Sequence, residues 1–308
     1  MLIFLAKLFV ALTASFYSTT GMAAACCGSN SAVPAIISGN DQTQVSSSYS
    51  YATVVADAPV SGASVSRPSD DSETRQTLLL EGATLLSDRW QAGLSLPLSR
   101  RFRSRNQGTA SDFGLGDVGV NVAYEFLPSW TYSSWRPTGF LFSGVKLPTG
   151  GSLYESTQLY SVDSHGRGFT TFNLGVLLTR AFGNFDFSLV TEVHRSLGRT
   201  IERQGLAFEL SPGWGASGTF SIGFSPSQSP LRFGVALSPS IEEAVVTSGA
   251  INSTGSGESA WTTLLQASYL INPEWSTTLA FSDQTWLGGS NVGLRQSVSF
   301  LVQKRWPR

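Results

Sequence analysis

The segment Trp90-Gln91-Ala92-Gly93-Leu94-Ser95-Leu96-Pro97-Leu98 alternates with a period of two. Trp90, Ala92, Leu94, Leu96 and Leu98 fall on one face of an extended chain; Gln91, Gly93, Ser95 and Pro97 fall on the other. Such alternation marks a β-strand with one apolar face and one polar or small face. The pattern recurs along the chain. Val118, Val120, Val122, Tyr124 and Phe126 alternate with Gly119, Asn121, Ala123 and Glu125. Phe185, Phe187, Leu189, Thr191 and Val193 alternate with Asp186, Ser188, Val190, Glu192 and His194. Leu231, Phe233, Val235 and Leu237 do the same against Arg232, Gly234, Ala236 and Ser238.

Composition says what the apolar faces meet. Charged residues are 13% of the 308, about half the usual share of a soluble domain. Aromatic residues reach 11%, with 19 Phe and 8 Trp. The formal net charge of −1 offers no basic excess for nucleic acid. Nor is the chain the charge-rich, apolar-poor kind that stays disordered. Two Cys and two His argue against a disulfide framework or a structural zinc site. Beyond the N-terminus no apolar run reaches about 18 residues, so helical spans are excluded. A chain that crosses a bilayer without helices must close its sheet, because every backbone polar group needs an internal partner.

The reading is therefore all-β: an antiparallel transmembrane β-barrel of about 12 strands. The strands are expected near 43–55, 75–86, 89–98, 116–126, 138–147, 168–181, 184–195, 204–225, 230–241, 259–271, 275–284 and 292–306. The segment 204–225 is taken as one long strand across Pro212-Gly213. Leu206, Phe208, Leu210, Pro212, Trp214, Phe220, Ile222 and Phe224 keep one parity, and a one-residue slip would swap the faces. Twelve strands make the connections alternate. Those at 56–74, 99–115, 148–167, 196–203, 242–258 and 285–291 are mostly long. Those at 87–88, 182–183, 226–229 and 272–274 are tight, with 127–137 the exception. Long extracellular loops and short periplasmic turns are the bacterial pattern. Trp90, Trp130, Trp135, Phe182, Phe185, Phe224, Trp275 and Trp306 gather at the expected periplasmic ends. Phe113, Phe169, Trp261 and Trp286 gather at the other, as interfacial girdles do.

Residues 1–25 read as a secretory signal peptide, apolar from Leu8 to Phe16 and ending in Ala23-Ala24-Ala25 before Cys26-Cys27. Residues 26–42 are expected as a periplasmic tail and 43–308 as the barrel. The expected location is the bacterial outer membrane, after cleavage near Ala25/Cys26.

Gly114-Leu115-Gly116-Asp117-Val118-Gly119, followed by Gly144-Val145-Lys146-Leu147-Pro148-Thr149-Gly150, resembles a bacterial family. It is similar to the outer-membrane transporters associated with the meta-cleavage pathway of phenol degradation. Those pair a G-x-G-D strand start with a K-x-P-T-G strand end. The turn at Arg180-Ala-Phe-Gly-Asn-Phe-Asp-Phe187 is similar too. The likeness is best over 110–195. It implies an outer-membrane barrel that passes small hydrophobic or aromatic compounds, and it brings no catalytic residues. G-x-G-x-x-G at 114–119 also matches a dinucleotide fingerprint. That motif opens a helix, whereas here it opens a strand.

The lumen face carries Glu125, Lys146, Asp186, Glu192, His194, Arg232 and Arg295 among small Ser and Gly residues, the candidates for a polar pore. Lys146 is expected to pair with Glu125, Glu192 or Asp186. Arg100, Arg101, Arg103 and Arg105 crowd the second outer loop and are candidates to contact lipopolysaccharide phosphate or steer an anion, since the Arg fork suits phosphate. Tyr154, Tyr160, Asp163 and His165 lie in a third outer loop long enough to fold inward. No G-x-S-x-G motif or metal-ligand cluster is present, so no catalytic, cofactor or metal residue is assigned. The expected partners are outer-membrane lipid and lipopolysaccharide, a small-molecule solute, the barrel-assembly machinery and periplasmic chaperones, and no nucleic acid. The leading function is a narrow channel. A structural or surface barrel with a blocked lumen is the alternative, and a barrel hydrolase using His194 is a more distant one.

Overall fold

The computed structural model describes residues 35–38, 41–61, 63–128, 136–203, 205–227, 229–249 and 252–308. The signal peptide, Cys26-Cys27, Trp130 and Trp135 lie outside the described residues.

Twelve strands form the wall. They are β1 Asp41–Ala58, β2 Ser72–Leu85, β3 Trp90–Arg105, β4 Val118–Leu127, β5 Thr138–Leu147 and β6 Thr171–Phe182. The second half is β7 Phe185–Ser196, β8 Trp214–Phe224, β9 Leu231–Glu242, β10 Glu258–Asn272, β11 Trp275–Asp283 and β12 Val292–Pro307. Each pairs antiparallel with its neighbour in sequence, and β1 pairs with β12 from Asp41↔Pro307 to Ala58↔Val292. The sheet is closed and has no free edge around the wall.

Apart from 128–137 at the other end, the long connections leave one end of the barrel and short turns the other. The long ones are L1 (59–71), L3 (148–170), L4 (197–213), L5 (243–257) and L6 (284–291). L2 is only the turn 106–107: Gly108–Leu115 continues the wall as a strand paired with β3, and Arg100, Arg101, Arg103 and Arg105 lie on β3, so the outer loop expected at 99–115 is a strand hairpin. The outward faces of the strands are exposed Leu, Val, Phe, Tyr and Trp, as a lipid-facing surface requires. At the short-turn end Trp90 stacks against Tyr124 and Phe185 against Phe224, with centroids 4.9 and 5.1 Å apart. There too Lys304 lies over both Trp275 and Trp306.

Two further expectations need correction. The segment 204–225 is not one strand: Leu206–Ser211 belongs to a separate sheet, and β8 begins at Trp214. Pro212 has no N–H to give a ladder, and the chain bends there. The interruption is two residues long, so it leaves the parity of a period-two pattern unchanged; alternation alone cannot reveal it. The separate sheet runs in the order Arg199–Arg203, Leu206–Ser211, Val246–Gly249, Ser253–Thr254, and ties L4 to L5. Second, Phe169 is not at a lipid-facing rim. It is buried with Ile201, Leu210 and Val245 in a small core under that sheet.

Candidate functional site: the lumen and its two closures

The inward faces divide the lumen into two unlike halves. On β4 to β7 the inward residues are buried: Asn121, Ala123, Phe140, Phe142, Leu177, Val190, Glu192 and His194. On β9 to β12 many are small and half-exposed, as with Ser238, Ser240, Thr262, Ser268, Thr278, Ser282, Ser297 and Ser299. Many of these hydroxyls bond across neighbouring strands. Thr219 meets Ser238, and Ser268 meets Thr278, both at 2.8 Å; Ser282 meets Ser297 at 2.6 Å. Side chains that satisfy one another keep short and leave space along that wall.

What covers the β4–β7 half near the short-turn end is the segment just before β1. Ile36 packs on Ala123, Phe140, Phe142, Leu177 and Val190, while Ala35 and Ile37 pack on Ala83 and Leu85. Its backbone makes these bonds with side-chain amides. The Ile37 N–H donates to Gln91 Oε1 at 2.6 Å, and Gln91 Nε2 donates back to the Ile37 carbonyl at 3.3 Å. Gln44 donates to the Ile36 carbonyl and Asn121 to the Ala35 carbonyl. A buried backbone needs such partners, and here the lumen supplies them.

At the opposite end L3 folds inward. The two glycine motifs meet to make it do so. Thr149 Oγ1 donates to the Gly116 carbonyl at 2.7 Å and accepts from the Val118 N–H at 3.0 Å. Asp117 accepts from the Gly150 N–H at 3.1 Å and the Arg167 N–H at 2.7 Å, tying both ends of L3 to one carboxylate. Gly166 is required beneath it: a Cβ there would stand 2.1 Å from Asp117 Oδ1.

L3 is then fastened to two arcs of wall. On one, Arg167 Nη2 bonds Glu242 Oε2 at 2.7 Å; His194 Nε2 meets the other Glu242 oxygen at 2.8 Å, and its Nδ1 stands 3.3 Å from Glu192. Asn173 donates to Glu192. On the other, His165 Nδ1 meets Ser99 Oγ at 2.8 Å and its Nε2 meets Asp112 Oδ2 at 2.9 Å. This Ser–His–Asp row has the order of a hydrolytic triad, but Ser99 is only 1% exposed beneath L3. It acts in this structure as a latch. Within L3, burial pushes the Asp163 carboxyl up. Hydrogen bonds from Ser156 Oγ and the Thr157 N–H more than offset this and hold it below its ordinary range.

The sequence-derived candidates are thus dispersed. Glu192 and His194 come together, with Glu242 and Arg167, which sequence reading did not single out. Asp186 pairs with Arg232 through two bonds, at 2.5 and 2.8 Å, near the short-turn end. Lys146 faces inward and forms no ion pair within 4 Å among the described residues; it attracts Glu192 and Asp117 at longer range, while Asp186 is taken by Arg232. Glu125 faces inward on β4, its N–H donating to the Arg89 carbonyl. Arg295 faces inward on β12, its N–H donating to Gln284 Oε1. Arg100 points outward between Gln76 and Phe113. Arg101, Arg103 and Arg105 point inward onto Glu73 and Asp71. Ser99 and Asp112 carried no sequence signal, since each lies in an alternating strand and meets His165 only through the fold of L3. Among the described residues no group of His, Cys, Asp and Glu could hold a metal ion.

This architecture is a closed β-barrel like those of bacterial outer-membrane proteins. An outer-membrane channel from Pseudomonas putida F1 superposes with a TM-score of 0.67, covering 89% of this chain and 97% of that one at 13% identity. The β domain of the Bordetella autotransporter BrkA superposes with a TM-score of 0.52, covering 86% of this chain and all of that one at 11% identity. No family model matches the chain, and no curated protein matches it in sequence.

Proposed function

We propose that the protein is a narrow outer-membrane channel for small solutes, placed with L1 to L6 outside the cell and the short turns in the periplasm. The observation that carries this reading is the division of the lumen. The β9–β12 wall keeps half-exposed hydroxyls along its length, whereas Ile36 and L3 fill the β4–β7 side. A passage beside that wall is polar and narrow, suited to selection rather than bulk diffusion. The preference for hydrophobic or aromatic compounds rests on the family resemblance of the Gly114–Asp117 and Lys146–Gly150 motifs. Arg100, exposed on the outward face, is the arginine of its group best placed to meet lipopolysaccharide phosphate.

A second reading is a structural barrel whose lumen is blocked. The packing of Ala35–Ile37 into the lumen favours it. Refolding the chain in detergent and comparing boiled with unboiled samples on a gel tests the barrel. Planar bilayers then separate the readings. Discrete conductance steps and uptake of aromatic acids into liposomes support the channel; a folded barrel with neither supports the blocked one.

A further inference from the structure

Arg75 on β2 and Arg101 on β3 stand directly opposite each other, both facing inward. Like charges in that register repel. Arg101 has a partial counter-charge in Glu73, 3.6 Å away. Arg75 has no carboxylate within 4 Å among the described residues. What both guanidinium groups hold instead is the backbone of L3. Arg75 donates to the His165 carbonyl at 3.3 Å, and Arg101 to the Ser164 and Ser161 carbonyls at 2.8 and 3.2 Å. Two opposed cations thus converge on five residues of one loop, satisfied by neutral oxygens.

From this geometry we infer that Arg75 and Arg101 form a carboxylate-binding site, that L3 occupies it as a stand-in, and that an anionic solute releases the lid by replacing the carbonyls. A carboxylate offers two oxygens in the plane of the Arg fork and a full charge. The bonds to the carbonyls already have a charged donor; a carboxylate adds a charged acceptor and the bidentate geometry. Arg105, half exposed, then Arg103, then Arg101 face inward in succession from the mouth on the same strand; Arg105 and Arg103 are paired with Asp71 and Glu73, which leaves Arg75 the cation without a carboxylate at the end of the row. The solute class is a small organic acid, aromatic or aliphatic, whose head engages the arginines while its body lies along the hydroxyl-lined wall.

The inference deepens the channel reading and rests on it for the solute's onward route. Its test needs no passage, so the two fail separately. Hydrogen exchange is followed by mass spectrometry on peptides from L3 of the full refolded barrel, at constant ionic strength. The probes are millimolar benzoate, benzyl alcohol and inorganic phosphate. Benzoate is expected to speed exchange in L3 about tenfold, and the neutral alcohol to leave it unchanged. Arg75→Gln abolishes the response. Arg75→Lys, which keeps the charge and loses the fork, reduces it several-fold. No acceleration by benzoate, equal acceleration by the alcohol, an equal effect of phosphate, or an unchanged response in Arg75→Lys each overturns the assignment.

Discussion

Gln91 and Ile37 are joined twice, side-chain amide to backbone, as one strand residue joins another. The bond pair is what holds the segment before β1 inside the lumen. Gln91→Ala removes both bonds, each contributing about 1 kcal/mol. The displaced form of the segment should then rise roughly 30-fold in population. The expected outcome is a longer-lived and larger open state in single-channel recordings, with the barrel's heat-dependent gel shift intact.

Gly166 lies under the Asp117 carboxylate with no room for a methyl group. Gly166→Ala should push L3 off its seat at a cost of about 2 kcal/mol. Limited proteolysis is the check: cleavage within 150–168 appears in the variant and is absent from the parent chain.

Ser297 faces the open side of the lumen on β12, paired with Ser282. Ser297→Trp should narrow the passage and cut conductance severalfold. Val298, the next residue, faces outward, and Val298→Trp serves as the control that leaves conductance unchanged. Equal effects at the two positions would falsify the route along this wall.

The Asp186–Arg232 pair is well formed but about a third exposed, so water screens it. Arg232→Ala should lower stability by only about 0.5–1 kcal/mol, read from the urea midpoint in lipid vesicles. A larger loss would mean that Asp186 is left without solvent when its partner goes.

The Asp163 carboxyl is held below its ordinary range in the folded loop. A group depressed in this way stabilises above its unfolded pKa. That contribution is lost as pH falls through the folded value. Protection factors in the 156–163 part of L3, with the intrinsic pH dependence of amide exchange divided out, should therefore fall on acidification below about pH 4. Asp163→Asn should exchange fast already at neutral pH, with the acid-dependent step gone.

Alternation made the wall legible. Trp90 to Leu98 alone separates Gln91, Gly93 and Ser95 from the lipid-facing side, and all three do face inward. Loop lengths then made the two ends distinguishable. What was not legible had one cause: the closures are built by segments without a period. Nothing in Ala35-Ile36-Ile37 marks it as a lumen filler, because its partners come from seven strands, β1 to β7. Ser99, Asp112 and His165 are brought together only after L3 has turned inward on Asp117. The motifs that suggested a family resemblance did carry structural information, since Gly116, Asp117, Thr149 and Gly150 are the hinge of that turn.

The seam between β1 and β12 has a consequence for assembly. Asp41 pairs with Pro307 at the closing edge, and Ile37 lies only four residues upstream, about 14 Å of extended chain. The segment that fills the lumen is therefore tethered to the joint that closes the ring. It need not thread through a finished ring. With the first strand docked against the last, Ile36 lies on the apolar inner surface of β4 to β7 and Ile37 on Ala83 and Leu85 of β2, surfaces that would otherwise meet water. Sealing the ring and drying those surfaces are thereby coupled through a short tether, and a chain shortened ahead of Asp41 is expected to close more slowly even though every wall pairing remains available to it.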